Sequence, residues 1–154
     1  MTKSCNSGDF RRYFNENVQG LGLPVPSRLF DSYNAAIAHA VVMVDTLRTL
    51  GKGATVGELI GATTGLEKLK VAAAFGASAY VGAVIGSIAV ASGRSFGCGS
   101  RISDLFVFRH QHKLDFKDAN SFYVHNPHVV DKGRPFRSNF GIRAKTSPLS
   151  FEYA

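Results

Sequence analysis

The stretch that most constrains this chain is residues 71–92, VAAAFGASAYVGAVIGSIAVAS, which holds no charged side chain over 22 positions. Its content is small: eight alanines, three glycines and three serines beside four valines, two isoleucines, Phe75 and Tyr80. As a helix it would extend about 33 Å, against roughly 30 Å for the hydrocarbon core of a bilayer. A helix apolar on every side belongs in a protein core or in lipid. This one is long enough for lipid but poor in the bulky side chains that favour it.

Small residues recur within it every fourth position, at Ala74, Ser78, Gly82 and Gly86. A second ladder, Gly53, Gly57, Gly61 and Gly65, precedes it. Residues four apart share a helix face, so each ladder predicts a groove of nearly bare backbone. Glycine inside a helix costs about 1 kcal/mol relative to alanine, and several in register point to close backbone approach. In lipid this is a main route to helix association. The same spacing serves a tightly packed soluble hairpin, and both readings stay open.

The rest of the chain is read around this segment. Residues 1–27 are polar, end in Pro24-Val25-Pro26-Ser27 and are expected to be extended, with Ser27 as N-cap. Phe30, Tyr33, Ile37, Ala40, Val44 and Leu47 lie at helical spacing and predict a helix over 28–50, stopped by Gly51. Thr55 with Glu58, and Thr64 with Glu67, have capping-box spacing. They predict a short helix over 56–63 and a long one over 65–92, with one continuous helix as the alternative. After a glycine-serine linker the chain turns aromatic and basic, with ten Lys and Arg against five Asp and Glu over 94–154. Short strands are expected over 102–109 and 121–124, with a third near 139–144. The expected fold is one α+β domain. Residues 1–27 form an extended arm, 28–92 a helical hairpin carrying the charge-free glycine-zipper helix, and 93–154 a small antiparallel β region with an extended tail.

A formal charge of +7 favours an anionic partner without choosing among membrane, nucleic acid and acidic protein. The two cysteines, Cys5 and Cys98, do not make a disulfide scaffold. The N-terminal residues lack the apolar stretch of a signal peptide, so the chain is expected to be made in the cytoplasm. His110 and His112 would share a face of a strand, and His125 and His128 follow, but their spacing matches no zinc pattern. No nucleophile elbow, HExxH or P-loop occurs, so neither catalysis nor a cofactor is expected. Basic residues interleave with aromatics as in single-strand binders, yet no RNP, KH or helix-turn-helix signature supports nucleic acid.

With these residues in view, the chain resembles the small antibacterial effectors of the type VI secretion system that carry a glycine zipper and depolarise target membranes. The resemblance rests on small size, basic charge, the absent signal peptide and the zipper between Gly53 and Gly86, about the middle third of the chain. It implies secretion with a tube protein as carrier, a cognate immunity protein, and ion-conducting lesions in the target cell's inner membrane. The expectation is therefore a toxin that inserts residues 53–92 and self-associates through the small-residue faces. Two alternatives remain: a soluble binding or adaptor protein whose 71–92 helix is only its core, and an enzymatic toxin using the C-terminal histidines.

Overall fold

The computed structural model describes residues 10–26, 28–51, 53–71, 75–92, 108–114, 119–131 and 136–146. Its first helix, α1 (Phe10–Gly20), forms where extended chain was expected. Phe10, Tyr13, Phe14, Asn17 and Val18 are buried, at i, i+3, i+4, i+7 and i+8. That is one helical face, with Arg11, Arg12 and Glu16 exposed. The polar composition of the N-terminal residues hid this stripe. Cys5 and Ser27 lie outside the described residues.

A turn at Leu21-Gly22 ends α1, with Gly22 at φ 77°, a conformation glycine adopts without steric penalty. Next comes a 3-10 turn (Arg28–Phe30), and then α2 (Tyr33–Leu50). The helix expected over 28–50 is thus interrupted at Asp31-Ser32. Ser32 is the N-cap, its Oγ accepting from the Ala35 N–H at 3.2 Å. Gly51 closes the helix as expected, at φ 88°, with its N–H donating to the Leu47 carbonyl.

The Thr55–Glu58 capping box forms with both arms and starts α3 (Val56–Gly61). The second capping signal does not start a long helix. Residues Thr64–Leu66 make only a 3-10 turn, and α4 begins later, spanning Ala77–Ser92. The approach to α4 is held instead by an isolated antiparallel bridge between Thr55 and Gly76. In it the Val56 N–H donates to the Phe75 carbonyl at 2.7 Å and the Ala77 N–H to the Ala54 carbonyl at 2.8 Å.

The C-terminal third overturns the α+β expectation. Among the described residues there is no strand, and the fold is all-α. Residues 108–112 are helical, which removes the end of the first expected strand; 102–107 lie outside the described residues. The second expected strand lies inside α5 (Ala119–His125), and the third inside α6 (Asn139–Thr146). The reason is the burial pattern. Ala119, Phe122, Tyr123 and Asn126 all face inward, a period of three to four that a strand cannot supply. The aromatic β-preference of Ser121-Phe122-Tyr123-Val124 yields to that demand.

At the centre sits α4, with fifteen of its sixteen residues buried. α1 and α2 pack along it, and α3, α5 and the 3-10 turn Pro127–Val129 close its remaining sides. The ends of α1 and α6 meet backbone to backbone, the Gly141 N–H donating to the Leu21 carbonyl at 2.8 Å. A Cβ added to Gly141 would lie 2.2 Å from the Gly22 carbonyl oxygen. Gly141→Ala, a change that normally favours a helix, should therefore lower stability by about 1–3 kcal/mol through overpacking. Urea denaturation of the two proteins measures the sign.

Candidate functional site: the apolar helix and its cover

Because α4 is apolar on every side, the candidate site is the helix together with whatever shields it. The two small-residue ladders have different fates. Gly53, Gly61 and Gly65 are exposed, and Gly57 is half-buried. The break after Gly61 puts Gly65 in the 3-10 turn, so this ladder does not form one groove. A Cβ added at Gly61 or Gly65 would meet nothing within 4 Å. Ala74 lies outside the described residues.

The α4 ladder is packed tightly. Ser78, Gly82 and Gly86 are all buried. A Cβ on Gly82 would come within 2.5 Å of the Phe122 ring, and one on Gly86 within 2.5 Å of Val129 Cγ1. The bare backbone is covered by side chains of the C-terminal region, not by another glycine helix. Tyr123 adds a polar clasp, its hydroxyl donating to the Gly82 carbonyl at 2.6 Å in a buried setting. The Phe122 ring is edge-on to both Tyr123 and Phe140, which joins α5 to α6.

A second polar clasp crosses the top of this cover. Asn17 of α1 is buried among apolar neighbours. Its Nδ2 donates to Ser87 Oγ on α4 at 2.9 Å and to the Val129 carbonyl at 2.8 Å. Its Oδ1 accepts from the Arg137 guanidinium, whose Nε donates to the His128 carbonyl at 2.9 Å. Burial lowers the Arg137 pKa from its ordinary value, with Asp131 opposing. Four segments thus meet on one side chain, and each polar atom of Asn17 is used. Arg109 is buried too, bonded to Asn120 and placed 5.3 Å from the Tyr123 ring centroid. The Tyr80 hydroxyl is buried in α4 with no hydrogen-bond partner among the described residues, and burial raises its pKa.

No family model, curated protein or solved structure matches this chain.

The histidines do not converge. His110 is exposed, and His125 bonds the Ser121 carbonyl through Nδ1 at 2.9 Å. His128 packs edge-on to Phe140. His112 shares a hydrogen bond with the Tyr33 hydroxyl at 2.8 Å and packs on Phe108, which docks the 108–112 turn against α2. Among the described residues no group of three or more His, Cys, Asp or Glu is placed to hold a metal; Cys98 lies outside them. The residues that cover α4 escaped the sequence reading. Asn17 had a signal, as a polar residue in the apolar stripe of α1. Phe122, Tyr123, Val129 and Arg137 had none, because only the tertiary fold brings them to Gly82, Gly86 and Ser87.

Two measurements test this arrangement. Gly61→Ala should raise stability by about 0.5–1 kcal/mol, since the site is open and helical. Gly86→Ala should lower it by about 1–3 kcal/mol through overpacking against Val129. The pair separates the structural half of the zipper from the idle half in one denaturation series. Desolvation lowers the pKa of His112 and of His39 below the ordinary 6.5. The unfolded chain then binds more protons than the folded one between the two values. Stability is therefore full above pH 6.5 and falls as pH drops through the lowered folded pKa. The urea midpoint should decline from pH 7.5 to 5.5, and less steeply in His112→Gln.

Proposed function

We propose that this chain is a non-enzymatic antibacterial toxin that inserts the 53–92 region into the target cell's cytoplasmic membrane and collapses the membrane potential through ion-conducting pores. The observation that carries the reading is α4: a helix without a charged side chain, apolar on all sides, whose small-residue face is shut by side chains of the C-terminal region. Water keeps such a helix covered, whereas lipid does not. Once Phe122, Tyr123 and Val129 withdraw, Ser78, Gly82 and Gly86 offer a face on which copies of α4 pack in the bilayer. The resemblance to type VI effectors adds a secreted tube protein as carrier and an immunity protein in the producing cell.

Insertion asks for a second rearrangement. Among the described residues no helix is long and apolar enough to cross a membrane. The 16 residues of α4 extend about 24 Å, short of the hydrocarbon core. Extending α4 N-terminally through Phe75 and Gly76 would lengthen it, and that requires the bridge between residues 54–56 and 75–77 to open. The bridge and the C-terminal cover, together with α1 and α2 packed along α4, then restrain insertion.

A second reading has an observation of its own. The short α4 and the satisfied Asn17 clasp fit a soluble binding or adaptor protein in which α4 is only the core. The readings part on two variants. Val56→Pro removes the N–H that bonds Phe75 at a first helical position, where proline is tolerated. Tyr123→Phe removes the clasp on Gly82. Each should lower stability by about 1–3 kcal/mol, the proline variant also altering the packing of the buried residue 56. On the toxin reading both should also speed dye release from anionic vesicles and depolarisation of cells expressing the chain in the periplasm. Reduced stability with no leakage from either variant or the parent would decide for the soluble core. Bulky replacements at Gly82 and Gly86 are poorer probes, because they disrupt the folded cover as well as any pore.

A further inference from the structure

The C-terminal cover has an outer side with a different character. Phe136 is 78% exposed and Ile142 63%, within seven residues of one another. Both leave large apolar groups in water, whereas their neighbours Phe140 and Gly141 are buried against the domain. Phe136 also sits at φ 59°, a left-handed conformation disfavoured for any residue with a Cβ. Neither burial nor backbone geometry explains an aromatic residue there. In sequence the stretch that follows Asp131 is strongly basic. Residues 132–146 contain Lys132, Arg134, Arg137, Arg143 and Lys145 and no Asp or Glu. Arg137 is engaged with Asn17 and His128.

We propose that the 136–146 segment is a docking surface for a bilayer of anionic lipid, with Phe136 and Ile142 entering the headgroup boundary and the net positive charge of the 132–146 sequence favouring an anionic leaflet. This rests on the membrane reading above and adds the place of first contact. Basic residues near an anionic leaflet each contribute to adsorption, and exposed apolar side chains contribute through burial at the interface. The apolar groups are what favour lipid over nucleic acid. An aromatic ring stacks on a base, but an exposed isoleucine has no such use. The position matters for mechanism as well. The segment that would touch lipid belongs to the same C-terminal region that holds the cover on Gly82 and Gly86.

The test is sedimentation of the full chain with vesicles of phosphatidylglycerol and phosphatidylethanolamine, and with phosphatidylcholine vesicles as the neutral control. Dye release is recorded from the same samples. The parent chain should bind the anionic vesicles, weaken with salt, and leave the neutral ones in solution. Phe136→Gly and Ile142→Asn should each weaken binding by about tenfold. Phe136→Gly removes the ring and relaxes the left-handed backbone, so its thermal midpoint should hold or rise while binding falls. A merely structural role for Phe136 predicts the reverse. Equal binding by parent and variants would overturn the proposal, and continued dye release would then leave the insertion reading standing. Failure of the parent to bind anionic vesicles would also overturn it, with depolarisation in cells still able to support insertion. Tighter binding to single-stranded RNA than to vesicles, lost in the same variants, would assign the surface to nucleic acid instead.

Discussion

The whole molecule depends on keeping α4 out of water. A helix apolar all round has no face to offer solvent, so α1, α2, α3, α5 and the 127–129 turn are packed against it. α1 and α2 supply amphipathic faces along its length, and α5 with the following turn closes the small-residue side. The strong preference of apolar surface for a dry environment is non-directional. It does not say which cover is used, and a bilayer satisfies it as well as protein does. The proposed insertion would use that indifference.

Direction comes from a few polar contacts. Asn17 ties α1, α4, the 127–129 turn and the Arg137 turn through one amide. Tyr123 ties α5 to the Gly82 carbonyl. The bridge between residues 54–56 and 75–77 sets where α4 starts. Each contact is modest in net energy, yet each would leave a buried polar group unsatisfied if only one partner left. They select one cover among several apolar ones. The same contacts are where the fold would have to open for α4 to lengthen and enter lipid.

The α2 stop at Gly51 and the capping box at Thr55 were legible because caps and helical turns are local chemistry. The α1 stripe was equally legible in Phe10, Tyr13, Phe14, Asn17 and Val18, but mixed charge around it obscured the period. The C-terminal elements were misread for a different reason. Phe122 and Tyr123 have strand preferences, and only their partners on α4 require them side by side on a helix. The glycine ladders show the same limit. Their spacing was equal in sequence, yet one ladder is broken at Ala62-Thr63 and open to solvent, while the other receives Phe122 and Val129.

Sequence alone determined that residues 71–92 must be shielded, since the absence of charge over 22 positions holds whatever the fold. It also determined the caps, whose donors and acceptors lie within four residues. Only the tertiary structure decided how much of that segment is helix, which of its faces is closely approached, and by what. Those answers depend on contacts such as Asn17 with Ser87, Tyr123 with Gly82 and Thr55 with Gly76. Their partners lie 21 to 70 residues apart, so no local pattern can announce them.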